Sequence, residues 1–509
     1  MNKLRFDPFL SVSLLVGLIL SGCILPAPIP KSTPAGVRFI PADCMFGVTK
    51  GIDCGYLYVP EDHSQPDGTQ IKLAVAIIRS SNSNPAPDPV VYLYGGPGSL
   101  FMEATPALPL IFSQILANRD LIVFDQRGVD YSSTSLECPE VETQALQDAT
   151  QNLSPVEEQR HSLQAYQACH DRLVEKGINL SAYSSAASAA DLNDLRKALG
   201  YTEWNLYGYS YGARLALTVM RDFPAGLRSV VLDSVYPPQA SLDSEAAANA
   251  ERALTLLFER CAADVQCVAA YPDLKTVFYE AAKQLDTKPI SFDLVSQQTH
   301  ESVTVLINGN RMIALIIHLL SYDYLLPNIP KWIYEFYDGN AASDFSLAGD
   351  MYYFPFSYEI ISEGMRLSVQ CGEETSFSST QIVQAADATV FPRLAEAVNQ
   401  GWYLALCPAW NVKPAAAIEN QPVKSNIPTL LLTGDNDPGT SPAWVASTAE
   451  NLSHSYAFTF PWASHWLIYR GSPSAECAMS ILSAFIADPA SMPDSTCIKS
   501  LKGSFAPVQ

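Results

Sequence analysis

A chain of 509 residues is longer than one hydrophobic core usually organises, so two or three compact units, or one large domain carrying an insertion, are expected. With 48% hydrophobic and 16% charged residues and no low-complexity tract, the composition is that of a globular protein and excludes long disorder. The formal charge of −21 repels phosphate backbones and anionic headgroups, which excludes non-specific nucleic-acid binding and fits a solvated acidic surface.

Residues 1–22 read as an export signal: Lys3 and Arg5 give a basic start, and Phe9 to Leu20 an apolar run too short to cross a bilayer comfortably. The run ends in Leu20-Ser21-Gly22-Cys23, which resembles the bacterial lipobox, so the Cys23 thiol is expected to carry lipid and to hold the protein on a membrane, facing the periplasm or the cell exterior. Residues 23–42 begin with a proline-rich stretch, Pro26 to Pro34, that reads as an extended tether. The other cysteines fall in near pairs: Cys44 and Cys54, Cys138 and Cys169, Cys261 and Cys267, Cys371 and Cys407, Cys477 and Cys497. An even set in an exported chain predicts five local disulfides. No CxxC or histidine cluster accompanies them, so neither a metal nor any other cofactor is expected.

In chain order, Gln70 to Arg79 alternates like a strand, and Val90 to Tyr94 is an apolar run ending in Gly95-Gly96-Pro97-Gly98. Leu121 to Phe124 precedes Asp125-Gln126-Arg127-Gly128, and Asp191 to Leu199 has helical spacing. Trp204 to Tyr207 leads into Gly208-Tyr209-Ser210-Tyr211-Gly212, with a helix predicted over Ala213 to Met220. Further strands are predicted at Leu227 to Leu232, Pro428 to Leu432 and Tyr456 to Phe460. Strands alternating with helices imply a mostly parallel sheet flanked by helices.

The pattern around Ser210 is G-x-S-x-G, in which glycines relieve crowding at a sharp strand-to-helix turn that exposes a nucleophile. A serine needs a base and an acid. In the α/β-hydrolase fold both follow late strands in the order Ser, Asp, His, which selects Asp437 and His465. Asp435 competes for the acid and His454 is the reserve base. The other histidines are expected in the core (His318) or solvated (His63, His161, His170, His300). The backbone N–H groups of Gly96 and Tyr211 are the expected oxyanion donors.

Four blocks together resemble the secreted prolyl and tripeptidyl aminopeptidases: Gly95 to Gly98, Asp125 to Gly128, Trp204 to Arg214, and the tail from Cys407-Pro408-Ala409-Trp410 to Cys497. Tyr94, Asp130 and Ser464 depart from that pattern, standing where the family commonly has histidine, glycine and glycine. The resemblance implies an α/β-hydrolase core over 43–238 and 421–509, with a mainly helical cap over 239–420. Its aromatic stretches, Leu319 to Tyr337 and Met351 to Tyr358, would form the cap's core and part of a substrate pocket. It also implies an aminopeptidase acting on peptides with a free N-terminus, and an acidic residue shortly after a cysteine. Glu373 and Glu374, following Cys371, are the candidates for meeting the substrate ammonium. An esterase using the same three residues, and an inactive surface binding protein, are the alternatives.

Overall fold

The computed structural model describes residues 36–295, 302–339, 361–398, 401–469 and 471–506. The export signal, Cys23, the Pro26 to Pro34 stretch, His300 and Met351 to Tyr358 lie outside the described residues.

Short runs with no polar side, β4 (Val90–Leu93, VVYL) and β5 (Leu121–Phe124, LIVF), are buried along their whole length, as strands covered on both faces must be. They lie inside a nine-stranded sheet whose other members are β1 (Arg38–Ala42), β2 (Ile52–Pro60), β3 (Gln70–Ile78), β6 (Trp204–Tyr209), β7 (Leu227–Asp233), β10 (Thr429–Gly434) and β11 (Ser455–Phe460). The order is β1-β2-β3-β5-β4-β6-β7-β10-β11, parallel from β5 to β11 and antiparallel among β1, β2, β3 and β5. Where a tether was expected to reach residue 42, Arg38–Ala42 pairs with β2 as the edge strand.

Alternation sends successive residues of the central strands to opposite layers. Leu206, Val230 and Leu431 pack with Tyr211, Leu215 and Val219 of the helix Tyr211–Asp222. Tyr207, Val231, Leu430 and Leu432 meet Ile481, Leu482 and Phe485 of the helix Ala475–Ala487 on the other face. Each such buried side chain contributes about 1.5–3 kcal/mol.

Between β7 and β10 a separate core forms from Leu254, Leu257, Phe278, Met312, Ile316 and Ile333 on four helices of the insertion. Part of the Leu319 to Tyr337 stretch joins it: Leu326, Trp332 and Phe336 are buried there. The insertion also contains an unforeseen antiparallel hairpin, β8 (Ile290–Val295) with β9 (Ser302–Ile307). Not all of 239–420 belongs to this body. Met365, Leu367, Leu406 and Trp410, from the helices Glu363–Glu373 and Trp402–Trp410, join the core beside the sheet.

The ten described cysteines form five bridges: Cys44–Cys54, Cys138–Cys169, Cys261–Cys267, Cys371–Cys407 and Cys477–Cys497. Bonds of this number mark a protein that matures in an oxidising compartment outside the cytoplasm.

Candidate active site

Ser210 sits between β6 and the helix Tyr211–Asp222 with φ 57° and ψ −123°, a backbone conformation that a residue with a side chain adopts only under constraint. Two observations explain the glycines around it. A Cβ on Gly212 would land on the Leu93 carbonyl, and one on Gly208 on the Gly212 carbonyl, so strand and helix approach this closely only without side chains. The turn is held from beneath by Ser210 N–H donating to the Asp233 carbonyl at 2.9 Å.

His465 arrives from the loop after β11 and Asp437 from the loop after β10. His465 Nε2 is 3.0 Å from Ser210 Oγ, and its Nδ1 is 2.8 Å from Asp437 Oδ2. Asp437 is completely buried, and its remaining acceptor sites are filled: Oδ1 by the N–H groups of Gly439 (2.8 Å) and Thr440 (2.9 Å), Oδ2 by the Thr440 hydroxyl (2.5 Å). Burial alone would raise the Asp437 carboxyl, but His465 and these donors hold it below the usual carboxylate value. Burial opposes charge on His465, yet Asp437 outweighs it, with Asp233 adding to the effect, and the imidazole is raised above its ordinary value. An ionised Asp437 requires the proton on Nδ1, which leaves Nε2 free to accept from Ser210.

The competing residues have other partners. Asp435 Oδ2 accepts from Arg260 at 2.6 Å and Oδ1 from the Trp462 N–H at 3.0 Å. His454 lies beside Tyr456. The histidines expected to be solvated are tied to carboxylates instead: His63 to Asp191 (2.8 Å), His161 to Asp148 (2.6 Å) and His170 to Asp171 (2.9 Å).

Several supporting residues carry no sequence signal. Thr440 is one. Arg252, on the helix Leu242–Ala263 of the insertion, donates to the main-chain carbonyls of Asp435 and Asp437 and so ties the acid loop to the insertion. Ser234 donates to the His465 carbonyl, and the His465 N–H donates to the Ser321 carbonyl at 3.2 Å. Ser464, the departure from glycine, is buried and donates its hydroxyl to the Leu320 carbonyl, a tie between the histidine loop and the insertion.

The loop after β4 lies against the nucleophile: a Cβ on Gly95 would be 3.0 Å from that of Ser210. Its neighbour Tyr94 donates to Asp125 Oδ1 at 2.7 Å, and Arg127 is fully buried, donating twice to Asp191 (2.8 and 2.7 Å) and to the carbonyls of Glu61 and Ala182. The Asp125 to Gly128 block thus braces the floor of the site. Beside His465, Tyr209 and Trp466 stack with centroids 5.6 Å apart, and Phe101 meets the Trp466 edge at 6.4 Å, forming a half-exposed aromatic wall.

Glu373 and Glu374 are not where a substrate ammonium could meet them. Both are buried, 1% and 2% exposed. Glu373 accepts from Ser185 N–H (2.5 Å) and Oγ (2.7 Å) and faces Arg214 at 3.6 Å, so it caps the helix Ser185–Ala198 and neutralises a buried guanidinium. Glu374 Oε1 accepts from Leu242 N–H (2.5 Å) and Gln370 (2.6 Å). The acidic position after Cys371 was read as a substrate anchor, but its partner Ser185 is 188 residues away in sequence and leaves no local trace. Glu373→Ala is expected to lower unfolding stability by about 3 kcal/mol, the low end for breaking a buried pair, since Glu374 remains near Arg214. Glu373→Gln should leave the ratio of kcat/KM on free and N-acetylated peptides unchanged. A selective loss on free peptides with normal denaturant unfolding would return this carboxylate to the substrate.

Residues 88–267 match the family model described as alpha/beta hydrolase fold, and residues 395–497 the one described as TAP-like protein. Serine protease Hip1 of Mycobacterium tuberculosis is 24% identical over 436 residues, 83% of each chain. A tripeptidyl aminopeptidase of Streptomyces coelicolor is 30% identical over 234 residues, 43% of this chain and 42% of its own. Carboxylesterase B of Mycobacterium tuberculosis is 34% identical over 197 residues, 37% of each chain. The protein is a serine hydrolase of the α/β-hydrolase fold. Its C-terminal part is similar to the TAP-like proteins, and the four motif blocks resemble those of proteins that include a tripeptidyl aminopeptidase.

Proposed function

We propose that the protein is an exported serine aminopeptidase, releasing residues or short peptides from free N-termini, with Ser210, His465 and Asp437 as its catalytic residues. The observation that carries this is the unbroken line from Ser210 Oγ through His465 to Asp437 at 3.0 and 2.8 Å. Ser210 Oγ attacks the scissile carbonyl as His465 Nε2 takes its proton, and the oxyanion is met by the N–H groups of Gly96 and Tyr211, each worth about 3 kcal/mol to the transition state. His465 returns the proton to the departing amine, leaving an ester on Ser210 that a water, deprotonated by the same imidazole, then hydrolyses.

The peptidase reading is drawn from the TAP-like tail and the peptidase relatives, and lipid on Cys23 from the leader sequence. Partition of the mature protein into the detergent phase tests the anchor. An esterase is the second reading, favoured by the likeness to carboxylesterase B. The deciding experiment compares kcat/KM on one short peptide anilide, its N-acetylated form and a matched acyl ester. The aminopeptidase reading expects the free peptide to exceed the acetylated one by at least about tenfold, the effect of one charge-assisted contact. Equal rates on both, or turnover of the ester alone, would refute it.

A further inference from the structure

The register of the sheet sets one more carboxyl group beside the catalytic residues. Asp233 closes β7, paired with Tyr209 of β6 on one side and with Leu432 of β10 on the other, so it stands between the strand that runs into Ser210 and the strand that leads to Asp437. Its main-chain carbonyl accepts from the Ser210 N–H at 2.9 Å. Ser234, which follows it, donates its N–H to the Leu432 carbonyl at 2.9 Å and its hydroxyl to the His465 carbonyl. These two residues therefore touch the nucleophile turn, the acid strand and the histidine loop. Ser234 does so at φ 54°, a left-handed conformation that a residue with a side chain keeps only where its surroundings hold it.

The Asp233 side chain is fully buried. Its Oδ2 accepts from the Tyr207 hydroxyl at 2.7 Å, and its Oδ1 lies 3.3 Å from the Ser234 hydroxyl. The groups that act on the carboxyl are Tyr207, His465, Ser234 and Asp437, with no lysine or arginine among them. Tyr92 and Tyr209 also face it, and Tyr322 of the insertion reaches Tyr209, but burial raises all of these phenols and keeps them neutral. A buried carboxylate without a cation is costly, so the charge that Asp233 can meet is the one that forms on the His465 imidazole. Burial pushes Asp233 up to about 7, against the Tyr207 bond and the pull of His465. Burial also opposes charge on His465, while Asp437 and then Asp233 favour it.

We infer that Asp233 is a positioning residue for the base, a second carboxylate that favours the imidazolium form of His465 while Ser234 fixes the main chain of that histidine. This role rests on His465 being the base that serves Ser210. The test is the rate constant for inactivation of the full mature protein by a fluorophosphonate, followed from about pH 5 to about pH 9. Asp233→Asn keeps an acceptor for Tyr207 and removes the charge. Its acidic limb should move to lower pH, so that the rate constant at about pH 5.5, as a fraction of the plateau near pH 8, rises at least about twofold. Tyr207→Phe withdraws the hydroxyl that favours the ionised carboxyl; it should move the limb the same way, and it decides the matter if Asp233→Asn does not fold. A merely structural role would lower the plateau and leave the limb in place. An unmoved limb in either folded variant would overturn the assignment. A wild-type profile with no acidic limb would instead refute His465 as the base, and this role with it.

Discussion

Ser210→Ala is expected to lower kcat by roughly 10⁵–10⁶-fold on ester or peptide and to abolish labelling by a fluorophosphonate. The reasoning is structural. Ser210 Oγ is the atom that the elbow aims at His465 Nε2, and replacing it by a methyl group leaves the turn, the loop after β4 and the aromatic wall in place. What survives is the acceleration due to binding and the backbone donors, on the order of 10³-fold over water. Stability should barely change, because only one hydroxyl and its bond to His465 are lost. Ser210→Gly should be equally inactive yet more stable by about 1 kcal/mol, because glycine accepts φ 57° without strain. Retained turnover well above that background in either variant would remove Ser210 from the mechanism.

Asp437→Asn is expected to cost about 10⁴-fold in kcat, while Asp435→Asn, two residues away, costs less than about tenfold. Both carboxylates stand on one loop, but only Asp437 touches the imidazole; Asp435 ties that loop to Arg260. An amide at 437 can donate to Nδ1 and so favour the tautomer whose Nε2 bears the proton, the wrong one for taking a proton from Ser210. The pH profile separates this from simple distortion. The proposed mechanism needs neutral His465, so kcat/KM is expected to rise with pH through the His465 value, which Asp437 raises above the ordinary 6.5. Removing that charge should move the acidic limb to lower pH. An unmoved limb, or a larger loss in Asp435→Asn, would reverse the assignment of the two acids.

What could be read in the sequence was whatever depends on near neighbours. Gly208 and Gly212 announce the elbow because the crowding they relieve lies within two residues of Ser210 or at the adjoining strand end, and chain order then selects the late acid and base. β1 was missed because an edge strand with four of its five residues exposed, and a proline at Pro41, has no apolar alternation. β2 was missed because Cys54, Gly55 and Pro60 interrupt its pattern. The supports of the site were illegible for a different reason. Thr440 has meaning only once Asp437 is placed, and Ser234 and Ser464 act on the histidine loop and the insertion across 231 and 144 residues of chain. Glu373 failed as an anchor on the same ground, since helix capping by a distant residue and binding of a substrate amine call for the same side chain.

The described cysteines are joined in successive pairs along the chain, closing separations of only 6 to 36 residues. Ten cysteines admit many pairings. A polypeptide entering an oxidising space amino end first, however, presents them to an oxidase already in native order. Each bond can close before the next thiol arrives, and none has to be undone to make a later one. Maturation therefore makes little demand on a disulfide isomerase, and a chain halted part-way through the membrane already carries finished bridges behind it.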